Sequence, residues 1–151
     1  MPSASTVFVD TNVLLYAQDP RDAAKRGAAQ RWLSWCWDGQ RARISTQVLN
    51  ELYVNLRRVA PRLPVDAARA LVRRYRLWNP WLVDESTVDI AWQLQDHASV
   101  SYWDALIIAA ARQQGCAYLL TEDLQHEQTI DGVHILNPFL VGPERLEPTA
   151  P

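Results

Sequence analysis

Two kinds of apolar pattern alternate along the chain. Short runs rich in β-branched and aliphatic residues fall at 6–9 (TVFV), 43–45 (RIS), 82–83 (LV), 118–120 (YLL) and 133–136 (VHIL). Each predicts a short buried strand. Between them lie stretches whose apolar positions recur every three or four residues, the period of a helix with one buried face. These predict helices over 11–17, 23–37, from Ser45 or Thr46 to Pro61, over 65–75, from Ser86 or Thr87 to about Ala98, and over 101–114. Punctuation supports them: Gln18–Asp22 is turn chemistry, Asp38-Gly39 and Gly115 are stops, and Pro61 and Pro64 separate two helices. Strands alternating with helices predict an α/β fold on a mainly parallel sheet. Residues 138–151 hold four of the nine prolines and read as a loose tail, so the expected division is a domain over 1–139 and a Pro-rich tail over 140–151.

Composition narrows the field. The 151 residues suit one domain, with 48% hydrophobic and 21% charged residues, as in an ordinary globular protein. No apolar run approaches the ~18–20 residues that span a bilayer, and no basic region precedes the first apolar stretch, so a cytoplasmic protein without membrane attachment is expected. Cys36 and Cys116 stand alone and read as idle buried thiols. His97, His126 and His134 share no zinc-ligand spacing with them. No P-loop, GxGxxG, GxSxG or HExxH string is present. Any chemistry must therefore rest on acids.

The acids fall at informative places. Asp10 ends the first predicted strand, and Asp123 lies just beyond the 118–120 strand. In a parallel sheet those ends face one crevice, where ligands usually bind. Glu51 and Asp104 lie in the first turn or two of helices that begin on the same side. Each acid also has a structural reading. Asp104 completes a capping-box-like Ser101-x-x-Asp104, Glu51 suits a solvated first turn, Asp10 suits an N-cap and Asp123 a turn. Together, four carboxylates in one crevice repel unless some protonate or a cation neutralises them. Hard oxygen ligands suit Mg²⁺ or Mn²⁺, which would assist phosphodiester hydrolysis by activating water and polarising a phosphoryl oxygen.

The residues around these acids resemble the PIN-domain nucleases. Val7-Phe8-Val9-Asp10-Thr11-Asn12-Val13-Leu14 looks like the family's opening strand. Glu51 after Ser45-Thr46-Gln47, Asp104 in Tyr102-Trp103-Asp104-Ala105-Leu106-Ile107, and Asp123 in Leu119-Leu120-Thr121-Glu122-Asp123-Leu124 match its other acids in order. Ile135-Leu136-Asn137-Pro138-Phe139 looks like its closing strand. The resemblance covers about residues 6–139, and the short length is similar to VapC-type toxins of toxin–antitoxin pairs. It implies a PIN-like five-stranded parallel sheet with helices on both sides and a Mg²⁺- or Mn²⁺-dependent endoribonuclease. Asp10, Glu51, Asp104 and Asp123 would be catalytic metal ligands, with Asp123 favoured over its neighbour Glu122. Thr11, Asn12 and Thr121 would be polar helpers. The resemblance further implies a homodimer and a cognate antitoxin that covers the crevice.

Charge bears on the substrate. The net charge is −2, yet fourteen of fifteen basic residues are Arg, whose planar fork suits phosphate. Arg57, Arg58, Arg62, Arg69, Arg73, Arg74 and Arg76 crowd into twenty residues with only Asp66 opposing them. Arg57, Arg58, Arg73 and Arg74 are the candidate contacts to an RNA backbone, against the alternative of a solvated helical face. Most of the seven tryptophans are expected to pack in the core; Trp103, beside Asp104, is the one placed to touch RNA. Two other functions remain open: a non-catalytic RNA- or protein-binding module on the same fold, and a PIN nuclease of RNA processing rather than toxicity. A haloacid-dehalogenase-like phosphatase fits poorly, because Asn12 stands where its second Asp belongs and Lys25 is in the wrong segment.

Overall fold

The computed structural model describes residues 6–148. Five strands form one sheet: β1 (Val7–Val9), β2 (Ala42–Arg43), β3 (Tyr118–Leu120), β4 (Thr129–Ile130) and β5 (Val133–Leu136), in the order β2-β1-β3-β5-β4. Pairing is parallel from β2 through β5, with Val9 opposite Leu120 and Leu120 opposite Leu136. Val7, Phe8 and Val9 are all fully buried although successive side chains point to opposite faces, so both faces of the sheet are covered. The helices are α1 (Thr11–Tyr16), α2 (Ala23–Gly39), α3 (Thr46–Val59), α4 (Val65–Tyr75), α5 (Glu85–His97) and α6 (Tyr102–Gln113). Helix α6 packs on β3 and β5 with α5 against it, while α1 packs against α2 and α3, and α3 against α4.

Two expectations about the sheet are corrected. Residues 82–83 form no strand: Trp81 makes a single parallel bridge to Ser45, and Leu82 is exposed. The neighbouring β2 is only two residues long and offers too little edge for a longer ladder. The fifth strand is instead β4, which runs antiparallel to β5, so the sheet is mostly rather than wholly parallel. Between them, Asp131 and Gly132 adopt φ 51° and 83°, the left-handed pair that a tight hairpin turn demands. Helix α5 begins slightly before the expected Ser86 or Thr87, because Asp84 caps it and forms a reciprocal capping box with Thr87.

The segment after β5 is docked rather than loose. The indole N–H of Trp32, fully buried on α2, donates to the carbonyls of Pro138 and Val141 at 3.1 and 2.9 Å. Arg145 donates to both oxygens of Glu127, and Val141 and Leu146 pack on the core. Residues 149–151 of the expected tail and 1–5 of the expected domain lie outside the described residues. Cys36 and Cys116 are buried and unbonded, and burial pushes both thiols up to about 12, as idle thiols should be. Five tryptophans pack as expected; Trp92, also expected in the core, stands exposed, as does Trp103, the one set apart from the core. Among the described residues no helix is long and apolar enough to cross a membrane.

Candidate metal centre

The strand order changes direction at β1. The chain moves outward from β1 to β2, then returns to place β3 on the other side. Ligands bind outside the carboxyl ends of strands at such a point. Two backbone bonds fix the geometry there: the Asp10 amide donates to the Leu120 carbonyl at 3.0 Å, and the Thr121 amide to the Leu136 carbonyl at 3.1 Å. They set Asp10 and Thr121 side by side at the ends of β1 and β3.

Asp10 caps α1, its Oδ1 accepting from the Thr11 amide at 2.7 Å. Its Oδ2 accepts from the Thr121 hydroxyl at 2.8 Å. That hydroxyl in turn accepts from the Asn12 amide group at 3.1 Å and from the Asp123 backbone N–H at 3.1 Å. Asn12 Nδ2 also donates to Asp123 Oδ2 at 3.0 Å. Thr121 therefore spends its one proton on Asp10 and its lone pairs on the residues that place Asp123. Glu51, on α3, accepts from Thr11 Oγ1 at 2.7 Å and from Gln47 Nε2 at 2.9 Å. Asp104 enters from the first turn of α6, where Ser101 Oγ accepts its backbone N–H at 3.1 Å. Ser101 is thus the N-cap, and Asp104 still lines the cleft.

All four predicted acids line one cleft of about 300 Å³, together with Thr11 and Asn12. One oxygen each from Asp10, Asp104 and Asp123 lies within 4.8 Å of the others. Glu51 lines the same cleft but is not one of that trio; both its oxygens are held by Thr11 and Gln47. Glu122 points elsewhere, its Oε2 2.8 Å from Lys25 Nζ, whereas Asp123 is one of the converging trio. Lys25 also bonds the Tyr16 hydroxyl at 3.4 Å and lies over the rings of Tyr16 and Phe139.

The electrostatics follow from crowding. Burial pushes the Asp10 carboxyl up to about 7, against the lowering effect of the Thr121 hydroxyl and the Thr11 amide; Asp123 and Glu51 add repulsion. Burial, then Asp123 and Glu51, also raise Asp104, opposed by Ser101. Among the described residues no ion pair reaches any of the four acids. The buried Asn12 Oδ1 has no protein partner. Converging, uncompensated hard oxygens fit a divalent cation such as Mg²⁺ or Mn²⁺.

Sequence reading missed Gln47 and Asn55, which also line the cleft. They lie one helical turn either side of Glu51, and Asn55 Nδ2 donates to the Glu51 carbonyl at 2.8 Å. The i, i+4 spacing was the available signal. Trp103 is 64% exposed on the rim, its carbonyl held by Gln47. The candidate arginines separate: Arg73 faces a groove beside α3, Arg74 lies over the Trp37 ring at 5.1 Å, and Arg57 and Arg58 end α3 in solvent.

A mostly parallel α/β domain with an acid-lined cleft at the switch point of its sheet defines a recognisable class. A family model for the PIN domain matches residues 7–131, and the chain belongs to the PIN domain family. No curated protein matches it. Solved structures share the fold. VapC20 of Mycobacterium tuberculosis, described as a toxin that cleaves the sarcin–ricin loop, is 24% identical with a TM-score of 0.60, over 78% of this chain and 90% of its own. A FitAcB structure from Neisseria gonorrhoeae is 20% identical with a TM-score of 0.62, over 90% and 100%. VapBC2 of Rickettsia felis, bound to a promoter DNA fragment, is 15% identical with a TM-score of 0.60, over 86% and 96%.

Proposed function

We propose that the protein is a metal-dependent endoribonuclease and the toxin of a VapBC-type toxin–antitoxin pair. The observation that carries this reading is the convergence of Asp10, Asp104 and Asp123 within 4.8 Å in a cleft that also holds Glu51. The three aspartates would bind a divalent ion directly, and Glu51 would complete the set. Such an ion supplies a Lewis acid for a phosphoryl oxygen and a water of lowered pKa. The chain's own part is placement. Thr121 and the Thr11 amide fix both oxygens of Asp10, Asn12 fixes Asp123, and Thr11 with Gln47 fixes Glu51. Trp103 offers an exposed ring at the mouth for an unpaired base. The likeness to a solved toxin–antitoxin complex supports an antitoxin that covers the cleft, and a homodimer belongs to the same reading. The expected place of action is the cytoplasm.

Hydrolysis by water breaks one P–O bond and leaves a phosphate on one fragment and a hydroxyl on the other. RNA bearing a single 2′-deoxy residue at the scissile position should therefore still be cut. Cyclic-phosphate ends, or loss of cutting on that substrate, would point to attack by the 2′-hydroxyl instead. The toxin assignment is read from growth: expression of the chain alone should arrest a bacterial host, and co-expression of an antitoxin should restore it. Unimpaired growth with active enzyme leaves the RNA-processing alternative.

Lys25 is a positioning residue in this account. By holding Glu122 outside the cleft it orients the loop from Thr121 to Asp123. Lys25→Met should lower kcat and weaken Mn²⁺ binding by about tenfold, the low end of what removal of outer support for ligands does. Lys25→Arg should recover part of both. An unchanged Mn²⁺ affinity in Lys25→Met would remove the role.

A further inference from the structure

The carboxylate cleft continues past Trp103. Gln47, Glu51 and Trp103 also line an adjoining hollow of about 580 Å³ that passes over Thr46 and Asn50. Those two residues are in turn the near wall of a groove of about 640 Å³ between α3 and α4. Thr46 to Tyr53 covers about 10 Å of the α3 axis, at ~1.5 Å per residue. Arg69, Arg73 and Arg76 line this groove. They follow the i, i+4, i+7 spacing that puts side chains on one helical face. Arg69 donates to the Tyr53 hydroxyl at 3.2 Å across the groove. Among the described residues no carboxylate pairs with Arg73 or Arg76, and both are exposed. The floor is apolar, from Leu49 and Val72.

Unpaired cations beside an apolar floor and a phenol ring suit a chain with an anionic backbone and flat bases. The unpaired guanidinium groups favour an anionic backbone over a protein segment, and continuity agrees: a strand whose scissile phosphate lies among the carboxylates must leave that cleft, and this groove leads from its mouth to Arg73 and Arg76. We propose that the α3–α4 groove carries the single-stranded RNA flanking the scissile phosphate, with Arg73 and Arg76 on its phosphates and Tyr53 against a base. The role rests on the ribonuclease reading. It replaces the arginine set expected from sequence, in which Arg69 and Arg76 were absent and Arg74 was included.

The test is fluorescence anisotropy of a mixed-sequence single-stranded RNA on the full chain carrying Asp104→Asn, freed of any co-purified partner, across a range of salt. Arg73→Gln with Arg76→Gln should weaken binding at least tenfold and flatten the salt slope by about 1.4, near 0.7 per lost phosphate contact. Arg26→Gln with Arg31→Gln on α2 removes equal charge and should keep most of the affinity. Arg69 is left intact because of its bond to Tyr53, and Arg76→Gln alone serves if the double variant melts early. Unchanged affinity and slope in the groove variant overturn the proposal and leave the groove to a protein occupant. Equal losses in both pairs overturn it as well, since charge without place would then suffice. Cleavage by the unmutated chain is read in parallel. Groove-dependent binding without cleavage counts against the ribonuclease reading alone, and cleavage with groove-independent binding counts against the groove alone.

Discussion

Asp104→Asn is expected to lower RNA cleavage by about 10³-fold or more while the protein keeps its melting temperature or gains slightly. The size follows from the position of the carboxylate: it is one of three oxygens that converge where charge must be organised during phosphodiester hydrolysis, and loss of such a group removes several kcal/mol from the transition state. The persistence of the fold follows from what the substitution leaves alone. The helix cap at Ser101 uses the backbone N–H of residue 104 and survives. The Asp104 carboxyl is already raised by burial and by Asp123 and Glu51, so an uncharged amide of the same shape relieves repulsion. Thermal unfolding and single-turnover cleavage on the same preparation check both halves. Turnover near that of the unmutated chain would take Asp104 out of the centre, and a large drop in melting temperature would make its role structural.

The second large effect is a dependence of stability on pH in the metal-free protein. Asp10 titrates near 7 when folded and near 3.8 when unfolded, so between those values the folded state holds the proton more tightly. This contribution to stability is fully present below about pH 4, is lost as pH rises from there to about 7, and levels off above it. At ~1.36 kcal/mol per pH unit, moving from pH 5 to 8 should cost about 2–3 kcal/mol, with Asp104 adding in the same direction. Denaturant unfolding in EDTA at a series of pH values measures this. Asp10→Asn should flatten the profile, although the gain at high pH is reduced because an amide nitrogen cannot accept the proton of Thr121. Mg²⁺ or Mn²⁺ should restore stability most at pH 8, where binding need not displace a proton. A flat profile between pH 5 and 8 would mean that Asp10 is not under the strain its burial implies.

The four acids were legible because each sits at an element end that local sequence marks: a strand stop at Asp10, helix starts before Glu51 and Asp104, and a strand stop before Asp123. Parallel pairing then brings those ends together. The strand at 82–83 was misplaced because two aliphatic residues carry no information about whether a sheet edge is near enough to pair. Strand β4 was missed despite its Asp131-Gly132 turn signal, since Thr129–Ile130 is too short to show a period. The docking of residues 138–148 depends on one indole proton of Trp32 reaching two distant carbonyls, which no local pattern encodes. The sorting of the arginines needed the rotation of α4 about its axis, fixed by the burial of Ala68 and Tyr75. Helical spacing alone groups Arg69, Arg73 and Arg76, but only packing shows that they face α3.

Cleavage of single-stranded RNA by the purified chain, stripped of any partner, in Mg²⁺ or Mn²⁺ and again in EDTA, tests the central claim most directly. The carboxylate centre predicts cutting that appears with either ion and disappears with the chelator and in Asp104→Asn. Cutting that persists in EDTA, or a chain that binds RNA equally well with and without metal and never cuts it, would contradict the account.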